Sequence, residues 1–232
     1  PWQYFWDMDL ITIILPEYRE PFYCSVMGRN GECFAIGTYY GFNAINGFLK
    51  ISESPDIPTG QLIRYQKNMM CYFGNRDELN KKELQVIKDL GLKFRGKNQW
   101  IYFHSFEPGY APYILDQQEV TQLTLVFKQL YMALKHFIEG EVQVDFEERN
   151  TLFRMFDAEE GLWLTFEAPL MFPRAQYPRP VIEDEILMAK LKKQKINKKE
   201  LEIDIVFLKA VINDKHFSKP LQPKMLTLAE AK

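Results

Sequence analysis

The chain has 232 residues, 47% of them hydrophobic and 26% charged, and a formal net charge of −2. Such a length can bury a sizeable core without covalent staples. The charge balance gives no basic field that would draw the whole chain to nucleic acid or to a membrane surface. Cys24, Cys33 and Cys71 form no C-x-x-C pair and read as reduced thiols, as in a cytoplasmic protein. There is no signal-peptide pattern, and no apolar run reaches membrane-spanning length.

The first residues, with Trp2, Tyr4, Phe5 and Trp6, read as an aromatic arm over the core. A β-branched run at 10–15 stops at Pro16. Runs at 21–27 and 32–40 flank Gly28-Arg29-Asn30-Gly31, where Asn-Gly signals a hairpin. The expectation is a three-stranded antiparallel meander. Phe42, Ile45, Phe48 and Leu49 then fall at helical spacing, and Pro55, Pro58 and Gly60 punctuate a loop. Residues 69–73 read as a strand. Asn80 lies three residues before Glu83, a capping-box start. Leu84, Ile87 and Leu90 line one face of the helix that follows, and Gly91 stands where a helix stops.

Residues 91–113 are the centre of the reading. Leu92 and Phe94 alternate like a strand, and so do Trp100, Tyr102, His104 and Phe106. Arg95-Gly96-Lys97-Asn98 between them predicts a turn, because Gly and Asn tolerate the left-handed backbone. Consecutive N–H groups in such a turn can also cradle an anion. Pro108-Gly109 suits a type II turn. His104 would need an orienting partner and a cleft to act as a base; a hydrogen-bonded boundary histidine is the plainer reading.

The pattern GLKFRGKNQW, followed by F-x-S-F-x-PGY-x-P, resembles an uncharacterised bacterial domain family known from Firmicutes-type genomes. The run YCSVMGRNGECFAIGTYYG is similar to that family's opening hairpin. The resemblance covers about residues 5–140. It implies a cytosolic bacterial protein and carries over no catalytic residue.

Asp116 and Glu119 repeat the capping-box signal. A broad stripe from Val120 to Phe137 predicts a long helix ending at Gly140. His136, near its end, suits the helix dipole and has little support as a ligand. Val142, Val144 and Phe146 alternate with acids, as in a strand with a solvated face. A hairpin is expected from 151–156 and 162–168. Prolines at 169–180 mark a connector. Residues 182–193 read as a helix and 200–212 as a long strand. A strand-like start at 225–228 has no partner after it. Six lysines within 190–199 could touch phosphates, but no aromatic platform is interleaved.

These elements predict an α+β protein with a largely antiparallel sheet and helices mainly on one side. A unit at 1–140 and a unit at 141–232 either form two subdomains of similar plan or share one sheet. P-loop, G-x-G-x-x-G, H-E-x-x-H and G-x-S-x-G patterns are missing, so no cofactor or metal is implied. The leading expectation is a non-catalytic binding or accessory module. Its patch would be Arg95, Lys97, Asn98, Trp100 and Tyr110, meeting a protein partner or an anionic ligand. The alternative is a hydrolase or nucleic-acid-processing enzyme with His104, Glu107 and Asp116 around one cleft.

Overall fold

Strand pairing sets the architecture. The structure, a computed structural model, describes residues 1–54, 56–57, 59–171, 181–195 and 200–230. Strands β1 (Ile11–Ile14), β2 (Phe22–Met27), β3 (Ala35–Tyr40), β4 (Asn68–Gly74) and β5 (Trp100–Phe106) pair antiparallel in the order β5-β4-β3-β2-β1. The sheet continues through β6 (Asn150–Asp157), which runs parallel to β1, to β7 (Leu162–Pro169). The class is α+β, as expected. The seven strands form one sheet, with members from both sides of residue 140.

Two periodicities decide what covers it. Ile11 and Ile13 of β1, Phe22, Cys24 and Val26 of β2, and Cys71 of β4 share one face with α4 (Gln117–Ile138), through Val126, Leu130, Ala133 and Leu134. Alternation sends Leu10, Tyr23 and Tyr39 to the opposite face, against Ala44, Ile45 and Phe48 of α1 (Gly41–Glu53); a single turn, α2 (Thr59–Leu62), follows α1. Tyr102 also lies there, against Ile87 of α3 (Lys81–Asp89). Helices therefore cover both faces: the longest lies on one, α1 and α3 on the other. α4 starts beside β5 and carries the chain across to β1 and β6.

Three local expectations are corrected. Residues 92–94 form no strand, because a helix stop turns them back along α3. Residues 142–145 join no strand and residues 146–149 form a turn, although Val142, Val144 and Phe146 still pack on the core. The strand start near 225 does have a partner: β9 (Lys224–Glu230) pairs antiparallel with β8 (Leu201–Phe207), which is shorter than the expected 200–212 run. The expected helix is α5 (Glu185–Lys193). The connector at 172–180 and lysines 198 and 199 lie outside the described residues. No helix among the described residues is long and apolar enough to cross a membrane.

Gly47 makes the packing of α1 testable. A mid-helix Gly→Ala change normally stabilises by about 1 kcal/mol. Here an added Cβ would overlap the backbone carbonyl of Tyr65, which cannot rotate away. Overpacking of that kind costs on the order of 1–3 kcal/mol and outweighs the propensity gain. Gly47→Ala is expected to lower the chemical-denaturation midpoint; a raised midpoint would contradict the contact.

Candidate functional site

β5 carries polar groups inside an otherwise apolar strand, and each meets a glutamate. The Tyr102 hydroxyl donates to Glu78 Oε2 at 2.9 Å. His104 Nε2 lies 2.6 Å from Glu83 Oε1. A carboxylate only accepts, so that nitrogen carries the proton. The Ser105 hydroxyl donates to Glu119 Oε1 at 2.7 Å.

All three glutamates stand at helix starts. Glu83 Oε2 accepts the Asn80 N–H at 2.7 Å, and Asn80 Oδ1 accepts from Lys82 and Glu83 in return. Glu119 Oε2 takes the Asp116 N–H at 2.9 Å. Glu78 Oε1 takes the Asn75 N–H at 3.1 Å, at a 3-10 turn (Arg76–Glu78). One side chain thus satisfies an orphan helix donor and fastens the helix to β5. The Tyr102 hydrogen bond, with help from Asn75, holds the Glu78 carboxyl below its ordinary range although burial opposes it.

The turn and its flank form one surface. Asn98 adopts φ 55°, and its N–H donates to Asn75 Oδ1 at 3.1 Å, so it is not free for an anion. Arg95 and Lys97 are exposed and form no ion pair among the described residues. Gly91 takes φ 68° and accepts a helix ending in which its N–H bonds Lys88 O and the Leu92 N–H bonds Ile87 O, both at 3.0 Å. This return lays Leu92 and Lys93 alongside α3. The groove between them holds about 580 Å³ and has four cations on its walls, Arg76, Lys81, Lys88 and Lys93. Leu84, Ile87, Leu92 and Trp100 supply its apolar part, and no carboxylate among the described residues lines it. Lys81 and Lys88 share a face because they lie seven residues apart on a helix.

The opposite end of β5 is built differently. Tyr110 lies there, beyond the strand's last residue, so the structure does not bring it together with Arg95, Lys97, Asn98 and Trp100. His104 and Asp116 line one cavity of about 540 Å³, together with Tyr113 and the segment 213–220. Glu107 joins them through Lys219, whose Nζ lies 3.4 Å from Glu107, 3.7 Å from Asp116 and 3.9 Å from Glu119. It also donates to the Tyr113 hydroxyl at 2.8 Å and sits 4.4 Å from the centre of that ring. Burial opposes the ammonium charge, but Tyr113, Glu119 and Glu107 outweigh it and hold Lys219 above its ordinary range. Burial pushes the Tyr113 phenol up to about 12, against the pull of Lys219 and Ser105. Among the described residues no group of three His, Cys, Asp or Glu side chains is placed to hold a metal.

The sequence profile of a domain of unknown function, DUF7309, matches residues 1–154. The chain belongs to this family. No curated protein and no solved structure matches it. The DUF7309 segment contains the first five strands, α1, α3, α4 and part of β6, and with them the groove and the three glutamates. Lys219 comes from outside it.

From sequence alone, Glu83 and Glu119 read as caps and His104 has no evident partner. The signal was present: a capping glutamate near a polar residue in an aromatic strand. Lys219 had no such signal, since only the fold brings it 112 residues back to Glu107. Arg76, Lys81, Lys88 and Lys93 carry no joint signal in the sequence beyond the helical spacing of the two on α3.

Tyr102→Phe tests the strand-to-cap bond. Glu78 has a depressed folded pKa, so its contribution is present above about pH 4.5 and fades as pH falls through the folded value. Tyr102→Phe is expected to lose stability at pH 7 and to lose less of what remains on acidification. Parallel curves of melting temperature against pH for the two proteins would contradict the bond. Solvent screening keeps the difference small.

Proposed function

We propose that the chain is a non-catalytic binding module, and that the groove between α3 and the 92–100 segment receives an acidic, partly apolar stretch of a protein partner. The observation that carries this reading is the lining: among the described residues, four cations surround Leu84, Leu92 and Trp100, without a carboxylate. Exposed Arg95 and Lys97 extend the positive surface at the rim. Trp100 is a suitable anchor, since interface energy concentrates in aromatic and arginine side chains set in pockets. Cations around it raise the encounter rate and reject basic partners. An acidic amphipathic helix fits such a groove through its apolar face. Nucleic acid fits it less well, because one indole, already flanked by Phe94 and Arg76, makes a poor stacking platform.

A second reading has its own support. Glu83, which is buried, holds His104 in one orientation at the edge of a cavity that also contains Asp116. This is the arrangement that general acid–base chemistry requires. A hydrolase reading would still need a nucleophile or a positioned water beside His104.

The test uses a synthetic acidic amphipathic peptide, with a scrambled peptide of the same composition and a single-stranded oligonucleotide as comparators. Lys88→Glu/Lys93→Glu and Arg95→Ala/Lys97→Ala should each weaken peptide binding by about tenfold or more, with the melting temperature unchanged. Equal binding by wild type and both variants, or preference for the oligonucleotide, would reject the groove as a protein-binding site.

A further inference from the structure

We infer that residues 208–222 form a releasable strap over the His104 cavity, fastened by Lys219 as its latch. The inference is independent of the α3 groove. It starts from what holds the segment down. No side chain of 208–222 is buried. Val211 and Phe217, which could have anchored it in the core, are 56% and 54% exposed. Its backbone meets the rest of the fold through the Ala111 N–H on Pro220 O at 3.0 Å and the Gln222 N–H on Gly109 O at 2.9 Å. Tyr110 pairs with Leu221 as an isolated bridge, and Leu221 pairs with Ile212 within the strap.

Against this thin backbone contact stands one concentrated side-chain contact. The Lys219 ammonium enters a socket made entirely by the family segment: Glu107, Asp116 and Glu119 as carboxylates, with the rings of Tyr113 and Tyr110 at 4.4 and 5.7 Å. The lysine is 24% exposed, so the contact is partly shielded from salt. A segment with little apolar burial opens at far lower cost than a core strand. Its closed state therefore depends on the one strong polar contact. Opening removes Asn213, Lys215 and Lys219 from the wall of the cavity that His104 lines, so the latch sets access to the Glu83–His104 pair.

The test reads opening directly in the full chain. Amide exchange is followed by mass spectrometry in wild type, Lys219→Met and Lys219→Arg. Carbethoxylation of His104 is mapped at the same time, with His136 as an internal control. In wild type, the amides of Ala111, Ile212, Leu221 and Gln222 should exchange through an opening insensitive to low denaturant, well ahead of Ile13 and Val26. Lys219→Met should speed those four amides and His104 labelling by about tenfold or more, and leave Ile13, Val26 and His136 unchanged. Lys219→Arg, which keeps the charge, should fall between the two. The inference is overturned if the strap amides exchange only with global unfolding. It is also overturned if Lys219→Met frees the strap without changing His104 labelling, or changes neither.

Discussion

The fold turns on a repeated contact: a glutamate at a helix start that spends one oxygen on its own cap and gives its carboxylate to β5. Glu78, Glu83 and Glu119 do this toward Tyr102, His104 and Ser105. A strand at the sheet edge exposes unpaired backbone and needs covering. These contacts bring the starts of α3 and α4 onto β5, from opposite faces of the sheet. They also hold α3 against β5, whose Trp100 lines the groove that the return at Gly91 completes. A hydrogen bond to a charged group contributes about 1.5–3 kcal/mol where water is excluded, as at buried Glu83, and less at exposed Glu78.

The same contact organises both ends of the strand. At the Trp100 end, α3 stands over the sheet with its lysines outward, and the helix stop at Gly91 turns Leu92 and Lys93 to face them. At the Phe106 end, Glu119 is shared between Ser105, Tyr113 and the latch. A carboxylate already saturated by a cap and two hydroxyls has little freedom to act as a base. His104 differs: one of its nitrogens is held by Glu83, and the imidazole edges a cavity. The chemistry of the two ends therefore diverges, with a cationic groove at one and an oriented imidazole at the other.

Much of this was legible in the chain. The strong local signals gave the correct elements: Asn80 with Glu83, Asp116 with Glu119, Gly91 and Gly140 as stops, and the apolar stripe of α4. Alternation at Val142, Val144 and Phe146 correctly marked an inward face but not a strand, since pairing needs a neighbour that no local pattern specifies. Leu92 and Phe94 misled for a similar reason: the helix ending consumes the Leu92 N–H. The parallel pairing of β1 with β6, which sets Thr12 against Phe153 and lets the Thr12 and Thr151 hydroxyls bond, had no sequence signal at all. Of the candidate patch, Trp100 lines the groove, Arg95 and Lys97 are exposed on the segment that leads to it, and Tyr110 lies at the far end because the Pro108-Gly109 turn follows the whole length of β5.

The most direct measurement is residue-resolved hydrogen exchange in Glu83→Ala. If the capping glutamates hold the helices to β5, exchange should rise throughout α3 and across 92–100 together, while β1 to β3 keep their wild-type protection. Unchanged protection in α3, or a uniform loss over the whole sheet, would show that the helix is placed by its apolar contacts alone and that the glutamate bridge is incidental.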